Sequence, residues 1–517
     1  MSYSVLIEPL IAVVPKDGQL PIEVSLRDAI VHAHEYADIA GDSPMEQFAV
    51  VRFLSAFVMD MLAMKTPEDR RKVFKAGKIS EKDFDDYIAL CRREGASFDL
   101  YDSAMPFMQT PFYPEEQKKK MKAAATLDLY LPSGNNHVFF TFIPVMKGYA
   151  VENDAALTPP KAFRCLCVRQ TFCAYSMEGP GGIAVMPLFL YTAGSSLFET
   201  ILMQTLSEEE ATKETGLEYG IGTVPWRKGA LEVTPKARID TPTFLQALTW
   251  QPRMIQLFPG KDGMIRRICL ASGMDGKEIP WKDINTFSMR LVNRKTGEVT
   301  LRTIMPRYDQ DAWLNLVGMA YDDDNLYEKS ACVRNLPALF GGKAEGQITL
   351  RMCGIQKHST NYKLLAVLDE ETPLPETVYE DKAVIRCIWR DVRLLTKTAY
   401  DIRGAVRKLF DEKNDTRCYQ CSMKFCQAAR ELLMTLTAED LLANIPPQEH
   451  ADRFCEAVKG IIPEVIRYMR GFAGTGSRAL LAVSEAEKNI RFALWRNIKE
   501  RKEENEDGED DASGTED

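Results

Sequence analysis

The spacing of apolar residues near the N-terminus predicts short strands followed by a buried helix. Residues 4–7 and 11–14 have the apolar character of strands, and the turn residues at 16–18 predict a hairpin. Ser43-Pro44-Met45-Glu46 then supplies an N-cap, a first-turn proline and a third-position glutamate, which are typical of a helix start. The apolar residues from Phe48 to Leu62 are so closely spaced that this helix is expected to be buried, with shorter helices following up to about residue 95.

The apolar spacing changes twice more along the chain. Between about 100 and 350, strand-like runs alternate with Gly/Pro turns, and one helix is predicted at about 195–207. After Pro373-Leu374-Pro375 the spacing becomes 3.6 residues, which predicts four helices at about 385–410, 416–436, 449–472 and 477–500. Helices joined by short links pack as antiparallel neighbours. The sequence therefore predicts an α+β protein, with a large irregular mixed N-terminal domain at 1–375 followed by a C-terminal antiparallel four-helix bundle at 376–502.

The net charge of −9 arises in a short terminal segment. Nine of the 74 acidic residues lie in 503–517, which has no basic residue, so the other 65 acidic residues balance the 65 Lys and Arg. A run of like charge with almost no apolar residue cannot bury enough surface to fold, and 503–517 is predicted to be a disordered acidic tail. Residues 376–502 carry 23 bases and 18 acids, so the acidic total does not exclude a nucleic-acid partner.

The sequence lacks the motifs that identify common catalytic centres or a membrane span. It contains no P-loop, nucleophile elbow, zinc-protease helix or dinucleotide fingerprint, which argues against an enzyme. No basic n-region precedes the first apolar run, and the longest uncharged stretch, 179–198, is broken by prolines and glycines. A cytoplasmic protein with neither a signal peptide nor a membrane span is therefore expected.

The 12 cysteines are expected to be reduced thiols. Cys418, Cys421 and Cys426 lie at helical spacing, but a structural zinc site usually needs a second Cys or His pair, and none is nearby in the sequence. The pattern favours small buried apolar side chains, so we expect neither a metal nor a cofactor.

Three segments rich in basic residues are candidates for contact with nucleic acid. The first, 161–177, interleaves bases with aromatic residues and precedes a glycine-rich run. The second, 253–267, includes Lys261, Arg266 and Arg267, and the third, 351–363, has no acidic residue. Bases neutralise phosphate and glycine allows close backbone approach, so each segment is interpreted as a surface loop suited to nucleic acid. An ordinary solvated loop also explains any one of them.

Several short segments, in their order along the chain, resemble one known family. Met105-Pro106-Phe107-Met108-Gln109-Thr110, Thr249-Trp250-Gln251-Pro252 and the opening strand at 6–13 are similar to segments of the CasA-type large subunits of type I-E Cascade, the CRISPR RNA-guided surveillance complex. Pro373-Leu374-Pro375 before a four-helix bundle also fits, and the likeness covers residues 1 to about 502.

The resemblance implies a non-catalytic subunit of a ribonucleoprotein complex for antiviral defence. Such a subunit reads the protospacer-adjacent motif (PAM) of double-stranded DNA from the minor groove and wedges the duplex open, so that the guide can pair and an R-loop can form. It also helps to recruit the helicase-nuclease. The implied partners are CRISPR RNA, double-stranded target DNA, the other Cascade subunits and that helicase-nuclease.

The resemblance also implies a position for each contact. The family's glycine-rich motif-reading loop falls on about residues 175–179, with Ser176 and Gly179 as the expected contacts. Its basic contact falls near Arg266, with Arg267 and Lys261 as alternatives. Some members carry a zinc loop near that contact, but only Cys269 remains here, so no zinc is expected. The duplex wedge falls on His358, Ser359, Thr360 and Asn361. The loop that meets the 5′ handle of the guide includes Asn135, Asn136, Phe140, Thr141 and Phe142.

Two other functions stay open from the residues alone. The basic bundle could bind RNA or a protein as a non-catalytic scaffold that does not read DNA, or a cysteine could serve a thiol-dependent enzyme. A scaffold would be indifferent to the motif that flanks the target, whereas alkylation of the cysteines would abolish the activity of a thiol enzyme.

Overall fold

The computed structural model of the chain describes residues 1–128, 156–172, 188–216, 221–227, 233–234, 242–275, 283–292, 296–305, 327–341, 348–357, 364–374, 382–407, 409, 416–443 and 445–512. The chain forms two compact units. The first comprises 1–289, 301–306 and 329–376, and the second comprises 290–300, 307–328 and 377–517. The α+β fold class expected from the sequence is confirmed. The last division, between 376 and 377, lies next to the predicted domain boundary, but the second unit also includes two earlier segments.

The N-terminal strands form a small antiparallel sheet in the order β2-β1-β3, with β1 at Ile11–Pro15, β2 at Ile22–Val24 and β3 at Tyr36–Ile39. β1 and β2 pair around the turn at 16–18, so the predicted hairpin is confirmed. The strand predicted at 4–7 is wrong, because only Ser4 makes an isolated bridge, to Asp99, and the next residues turn. Val5 and Leu6 of that turn are buried, so their apolar character reflects burial and not a strand.

The predicted buried helix is the centre of the first unit. α1 is at Leu26–Val31, and α2, at Pro44–Leu62, starts where Ser43 Oγ accepts a hydrogen bond of 3.1 Å from the Glu46 backbone N–H. Phe53 of α2 packs in edge contact with the rings of Phe107, Phe163 and Trp226. α3 at Pro67–Ala76 and α4 at Glu81–Arg93 confirm the shorter helices. Among the described residues no single helix is long and apolar enough to cross a membrane. The pair α2 and α3 has the length and composition of a span only when the two are taken together, and they are bent by 110° relative to each other.

Two more antiparallel sheets of the first unit pack against the same core as α2. One has the order β12 (Leu364–Leu374), β11 (Ile348–Lys357), β5 (Phe189–Ala193), and the other has the order β4 (Met121–Ala123), β7 (Ile265–Ser272), β6 (Arg253–Pro259). The predicted helix near 195–207 is confirmed at Leu197–Met203. The helices after α4 are α5 Pro114–Lys120, α6 Pro159–Phe172, α7 Leu197–Met203, α8 Glu208–Thr215, α9 Phe244–Leu248, α10 Ala331–Arg334 and α11 Leu336–Phe340. The strands after β3 are β4 Met121–Ala123, β5 Phe189–Ala193, β6 Arg253–Pro259, β7 Ile265–Ser272, β8 Ser288–Val292, β9 Val299–Thr303, β10 Tyr327–Glu328, β11 Ile348–Lys357 and β12 Leu364–Leu374.

Four helices of the second unit match the four predicted from the 3.6-residue spacing. They are α12 Lys382–Arg407, α13 Thr416–Leu442, α14 Pro447–Gly471 and α15 Ser477–Ala512. Hydrogen bonds show that α12 and α15 run antiparallel, because Asp391 pairs with Arg501 whereas Asp401, further along α12, pairs with Arg496. The same descending order joins α14 to α15, where Asp452 meets Lys502 and Arg470 meets Glu487. α15 continues to Ala512, so it includes residues that we expected to lie in a disordered tail.

Candidate nucleic-acid interface

The strands β6 and β7 form a hairpin that is anchored at its base and exposed at its tip. Ile255, Leu257, Ile268 and Leu270 bury their side chains in the core of the first unit. The turn closes with a hydrogen bond of 2.8 Å from Gly260 N–H to the Met264 carbonyl. Gly263 has φ +79°, a left-handed conformation that favours glycine. A rigid hairpin therefore presents the residues at its tip to solvent.

One of the segments that suggested the family, residues 105–110, holds this hairpin in place. The Gln109 side-chain oxygen accepts a hydrogen bond of 2.8 Å from the Leu257 backbone N–H, and its amide donates to the Leu100 carbonyl at 2.9 Å. The Thr110 backbone N–H donates to the Ile255 carbonyl at 2.9 Å. Buried polar groups need such partners, since an unsatisfied one costs about 1–3 kcal/mol. The segment at 105–110 therefore positions the hairpin through hydrogen bonds to the backbone of β6.

Three of the predicted DNA-contacting residues lie on the exposed part of this hairpin. Lys261 is in the turn, and Arg266 and Arg267 are the second and third residues of β7; all three are exposed. Arg266 donates to Asp262 at 2.8 Å, with 44% of its side chain accessible, and this hydrogen bond lowers the pKa of Asp262. Among the described residues, no carboxylate contacts Lys261 or Arg267. The structure thus places the three predicted cations on one exposed hairpin, and Arg266 is engaged by an acid.

The loop predicted for the first basic segment is wrong over residues 161–172. These residues belong to α6, which is almost entirely buried. Lys161 contacts Asp42 at 2.6 Å and Glu46 at 2.7 Å, while Arg164 contacts Glu46 at 2.6 Å. The bases therefore neutralise internal carboxylates. The helical spacing of Ala162, Phe163, Leu166 and Phe172, all buried, was the signal that would have identified a helix.

The loop predicted for the third basic segment is also wrong over residues 351–357, because these residues lie in β11. Arg351 forms ion pairs with Asp38 and, at 2.8 Å, with Glu371. β11 pairs with β12 in antiparallel register from Ile348 opposite Leu374 to Lys357 opposite Leu364. The wedge residues His358, Ser359, Thr360 and Asn361 belong to the segment that connects these two strands, and they lie outside the described residues.

Two other groups of predicted site residues lie outside the described residues. They are Ser176 and Gly179 of the motif-reading loop, and Asn135, Asn136, Phe140, Thr141 and Phe142 of the guide-handle loop. Sequence reasoning also missed a set of bases at 118–122, at the end of α5 and in β4, although the run Lys118-Lys119-Lys120 is visible in the sequence.

The cysteines of the part of the chain that the structure describes are buried. Cys418, Cys421 and Cys426 are buried on one helix, as their spacing indicated. Burial raises the pKa of Cys421 to about 12 and that of Cys455 to about 11. A nucleophilic cysteine needs a lowered pKa and access to substrate. Cys421 and Cys455 are buried and have a raised pKa, so their contribution is to packing.

Cys387, Asp391 and His450 of the second unit bring three metal-ligand atoms within 4.8 Å of one another. Arg501 occupies this constellation, because its Nη2 lies 2.8 Å from Asp391 Oδ1 and 3.6 Å from Cys387 Sγ. A divalent cation there would meet the guanidinium charge at close range. The residues as arranged therefore fit an ion-pair network better than a metal centre.

Comparisons with known proteins match this chain to one family over almost its whole length. Residues 5–457 match the family model described as CRISPR-associated protein Cse1. A "CRISPR-associated protein CasA/Cse1" from Thermus thermophilus is 23% identical over an alignment of 520 positions, gaps included, which covers 94% of this chain and 96% of that protein.

Solved structures with similar folds include Cse1 from Acidimicrobium ferrooxidans, with a TM-score of 0.71, 20% identity and coverage of 97% of this chain and 99% of that one. Thermus thermophilus CasA has a TM-score of 0.71, 20% identity and coverage of 95% and 100%. A chain of a structure called "CRISPR RNA-guided surveillance complex" has a TM-score of 0.71, 15% identity and coverage of 95% and 99%. These likenesses extend to the fold of the whole chain.

Proposed function

The chain belongs to the CRISPR-associated Cse1 family, and we propose that it is the large subunit of a type I-E Cascade complex that reads the PAM in double-stranded DNA. The complex would be a cytoplasmic ribonucleoprotein of CRISPR RNA and several protein subunits, and this subunit would carry no catalysis. The observation that carries the reading role is the anchored β6–β7 hairpin with Lys261, Arg266 and Arg267 exposed on it.

The geometry of the hairpin suits the reading of a short flanking motif. The minor groove is narrow and presents few distinguishing groups, so a reader needs a thin, rigid element with long basic side chains. The turn at 260–264 is closed by its own backbone hydrogen bonds and therefore holds the backbone of Lys261 in place. Arg266, already engaged by Asp262, would exchange part of that contact for DNA. Lys261 and Arg267 would need no such exchange.

The other contacts of the proposal rest on the resemblance. Ser176 and Gly179 would line the groove beside the hairpin, and Asn135, Asn136, Phe140, Thr141 and Phe142 would meet the 5′ handle of the guide. His358, Ser359, Thr360 and Asn361 would wedge the duplex. The long register of β11 against β12 supports the wedge, because a paired two-stranded ribbon gives the connecting residues a firm base. The opened complex would then help to recruit the helicase-nuclease.

The experiment uses the full chain assembled with its guide and the other subunits. Binding is measured to duplexes that carry the same target with different flanking motifs. Lys261→Ala, Arg266→Ala and Arg267→Ala should weaken binding to the preferred motif while the complex still assembles. If none of these variants changes affinity or motif preference, the site assignment is wrong. A scaffold that does not read DNA would show equal affinity for all flanks in the wild type.

A further inference from the structure

A side-chain amide takes the place of a neighbouring strand at the start of β6. β6 is the last strand of the sheet β4-β7-β6, so β7 lies on one side of it. On the other side the Arg253 backbone N–H donates to the Gln170 side-chain oxygen at 3.2 Å, and the Gln170 amide donates to the Arg253 carbonyl at 2.9 Å. One glutamine thus makes both hydrogen bonds that a residue of an antiparallel strand would make.

Gln170 belongs to α6, and this helix is fixed to the centre of the first unit. Lys161 and Arg164 of α6 both contact Glu46 of α2, at 2.7 and 2.6 Å. The Gln170 side chain is buried, as is most of its helix. The amide that holds β6 is therefore carried by a helix that is itself bound to the core.

α6 is bonded to the reading hairpin at both ends. Just before the helix, the Leu157 backbone N–H donates to the Ile265 carbonyl at 2.9 Å, and the Ile265 N–H donates to the Leu157 carbonyl at 2.8 Å. Near its last turn, Gln170 holds Arg253 at the start of β6. The helix ends two residues later, and the segment 175–179 that the resemblance assigns to motif reading follows in the chain. α6 thus ties the hairpin to the chain that leads into that segment.

We infer that Gln170 is a positioning residue that fixes the direction of the reading hairpin and thereby sets how sharply the chain discriminates between flanking motifs. The inference rests on the proposed function, since it concerns how the hairpin meets DNA. Gln109 holds the same strand at Leu257, four residues further on and so about 13 Å away. Two attachments this far apart fix the direction of a strand, whereas one alone lets it tilt. Base contacts need donors in fixed positions, so a tilt affects reading first.

The expected signature is a loss of motif discrimination without a loss of general affinity. Gln170→Met keeps the length of the buried side chain but removes both hydrogen bonds to Arg253. In the assembled complex, the ratio of the affinities for a preferred and a disfavoured flank should fall at least about fivefold, as when one weak base contact is lost. Affinity for the disfavoured flank and its salt dependence should stay as in the wild type, because the hairpin keeps its cations.

Gln204→Met is the matched control. Gln204 is also buried in the first unit, where its amide donates to the Thr192 carbonyl of β5 at 2.9 Å and its oxygen accepts from Asn285 at 2.9 Å. The control therefore removes comparable hydrogen bonds from a strand outside the hairpin. Both variants should lower the thermal stability of the complex. Only Gln170→Met should reduce motif discrimination and speed the amide hydrogen exchange of residues 253–259.

Two results would overturn the inference alone while the wild type keeps its motif preference. Unchanged hydrogen exchange at 253–259 in Gln170→Met would show that the amide does not hold the hairpin. Unchanged discrimination would show that reading does not depend on this attachment. Failure of the proposed function looks different, because the wild type would then bind every flank equally, and hydrogen exchange would still report whether Gln170 holds the hairpin.

A second variant covers the case in which Gln170→Met does not assemble. Gln170→Asn is one methylene shorter and cannot reach both backbone groups of Arg253 from the same helix position, so it should show the same loss of discrimination. If neither Gln170 variant assembles while Gln204→Met does, the glutamine serves folding and the inference is overturned.

Discussion

His450 Nε2 lies 2.7 Å from Asp391 Oδ2 inside the second unit, and its Nδ1 lies 2.8 Å from Asp440 Oδ2. Arg501 donates to the other oxygen of Asp391 at 2.8 and 2.9 Å. The four residues come from α12, α13, α14 and α15, so one buried network joins all four helices. Only an imidazolium can donate to both carboxylates, because neutral histidine has a single N–H.

The network predicts a specific pH dependence of stability. Burial alone would lower the pKa of His450, but its hydrogen bond to Asp391 and the negative charge of that carboxylate, with the contact to Cys387, raise it from 6.5 to about 11. The stabilisation is complete below pH 6.5 and is lost as pH rises towards 11. Between these values the wild type should lose about 1.4 kcal/mol of unfolding free energy per pH unit relative to His450→Gln. Urea unfolding at pH 7, 8 and 9 measures the difference.

His32→Gln serves as the control for this pH dependence, because His32 is partly exposed, 3.2 Å from Glu35 and stacked on His34, and among the described residues belongs to no buried network. Its unfolding curves should follow those of the wild type at each pH. If His450→Gln also follows the wild type at every pH, His450 is not held as an imidazolium.

Asp262 should restrain general DNA binding by the hairpin. Asp262→Asn removes a negative charge and releases the Arg266 guanidinium that it holds at 2.8 Å. We expect duplex affinity to rise several-fold for all flanking motifs, with a steeper salt dependence, because one more cation is available to phosphate. Filter binding at several salt concentrations measures both quantities. Weaker binding would mean that the ion pair positions Arg266 for reading.

The turn conformation at Gly263 should matter for reading more than for stability. Gly263→Ala forces a side chain into φ +79°, which costs about 1–2 kcal/mol locally and shifts the turn that carries Lys261. We expect a several-fold loss of affinity for the preferred motif. Gly297→Ala imposes the same strain at φ +70° in another turn with open space around it, and should leave motif affinity unchanged. Equal losses of motif affinity in both variants would show that the turn at Gly263 is not part of the reading site.

The sequence was sufficient where periodicity or capping decides the structure. The Ser43 cap and the four C-terminal helices follow from local rules. Within the second basic segment only the turn with Lys261 is a loop, because Arg253–Pro259 and Ile265–Ser272 are strands. The sequence misled where a charged residue is buried with a partner distant in sequence. Lys161 and Arg164 look like a basic loop until α2 contributes Glu46, more than a hundred positions away. Gln109 likewise has no visible role until its contact with Leu257 forms.

The central claim is that this chain reads a motif beside the target. The most direct measurement is the affinity of the assembled wild-type complex for a library of duplexes that share one target and differ only in the flanking bases. We predict that a small set of flanks binds at least about tenfold more tightly than the rest, since each wrong base pair typically costs about 1–3 kcal/mol. The same preference should be reduced in Lys261→Ala and Arg266→Ala. Equal affinity for every flank in the wild type would contradict the claim.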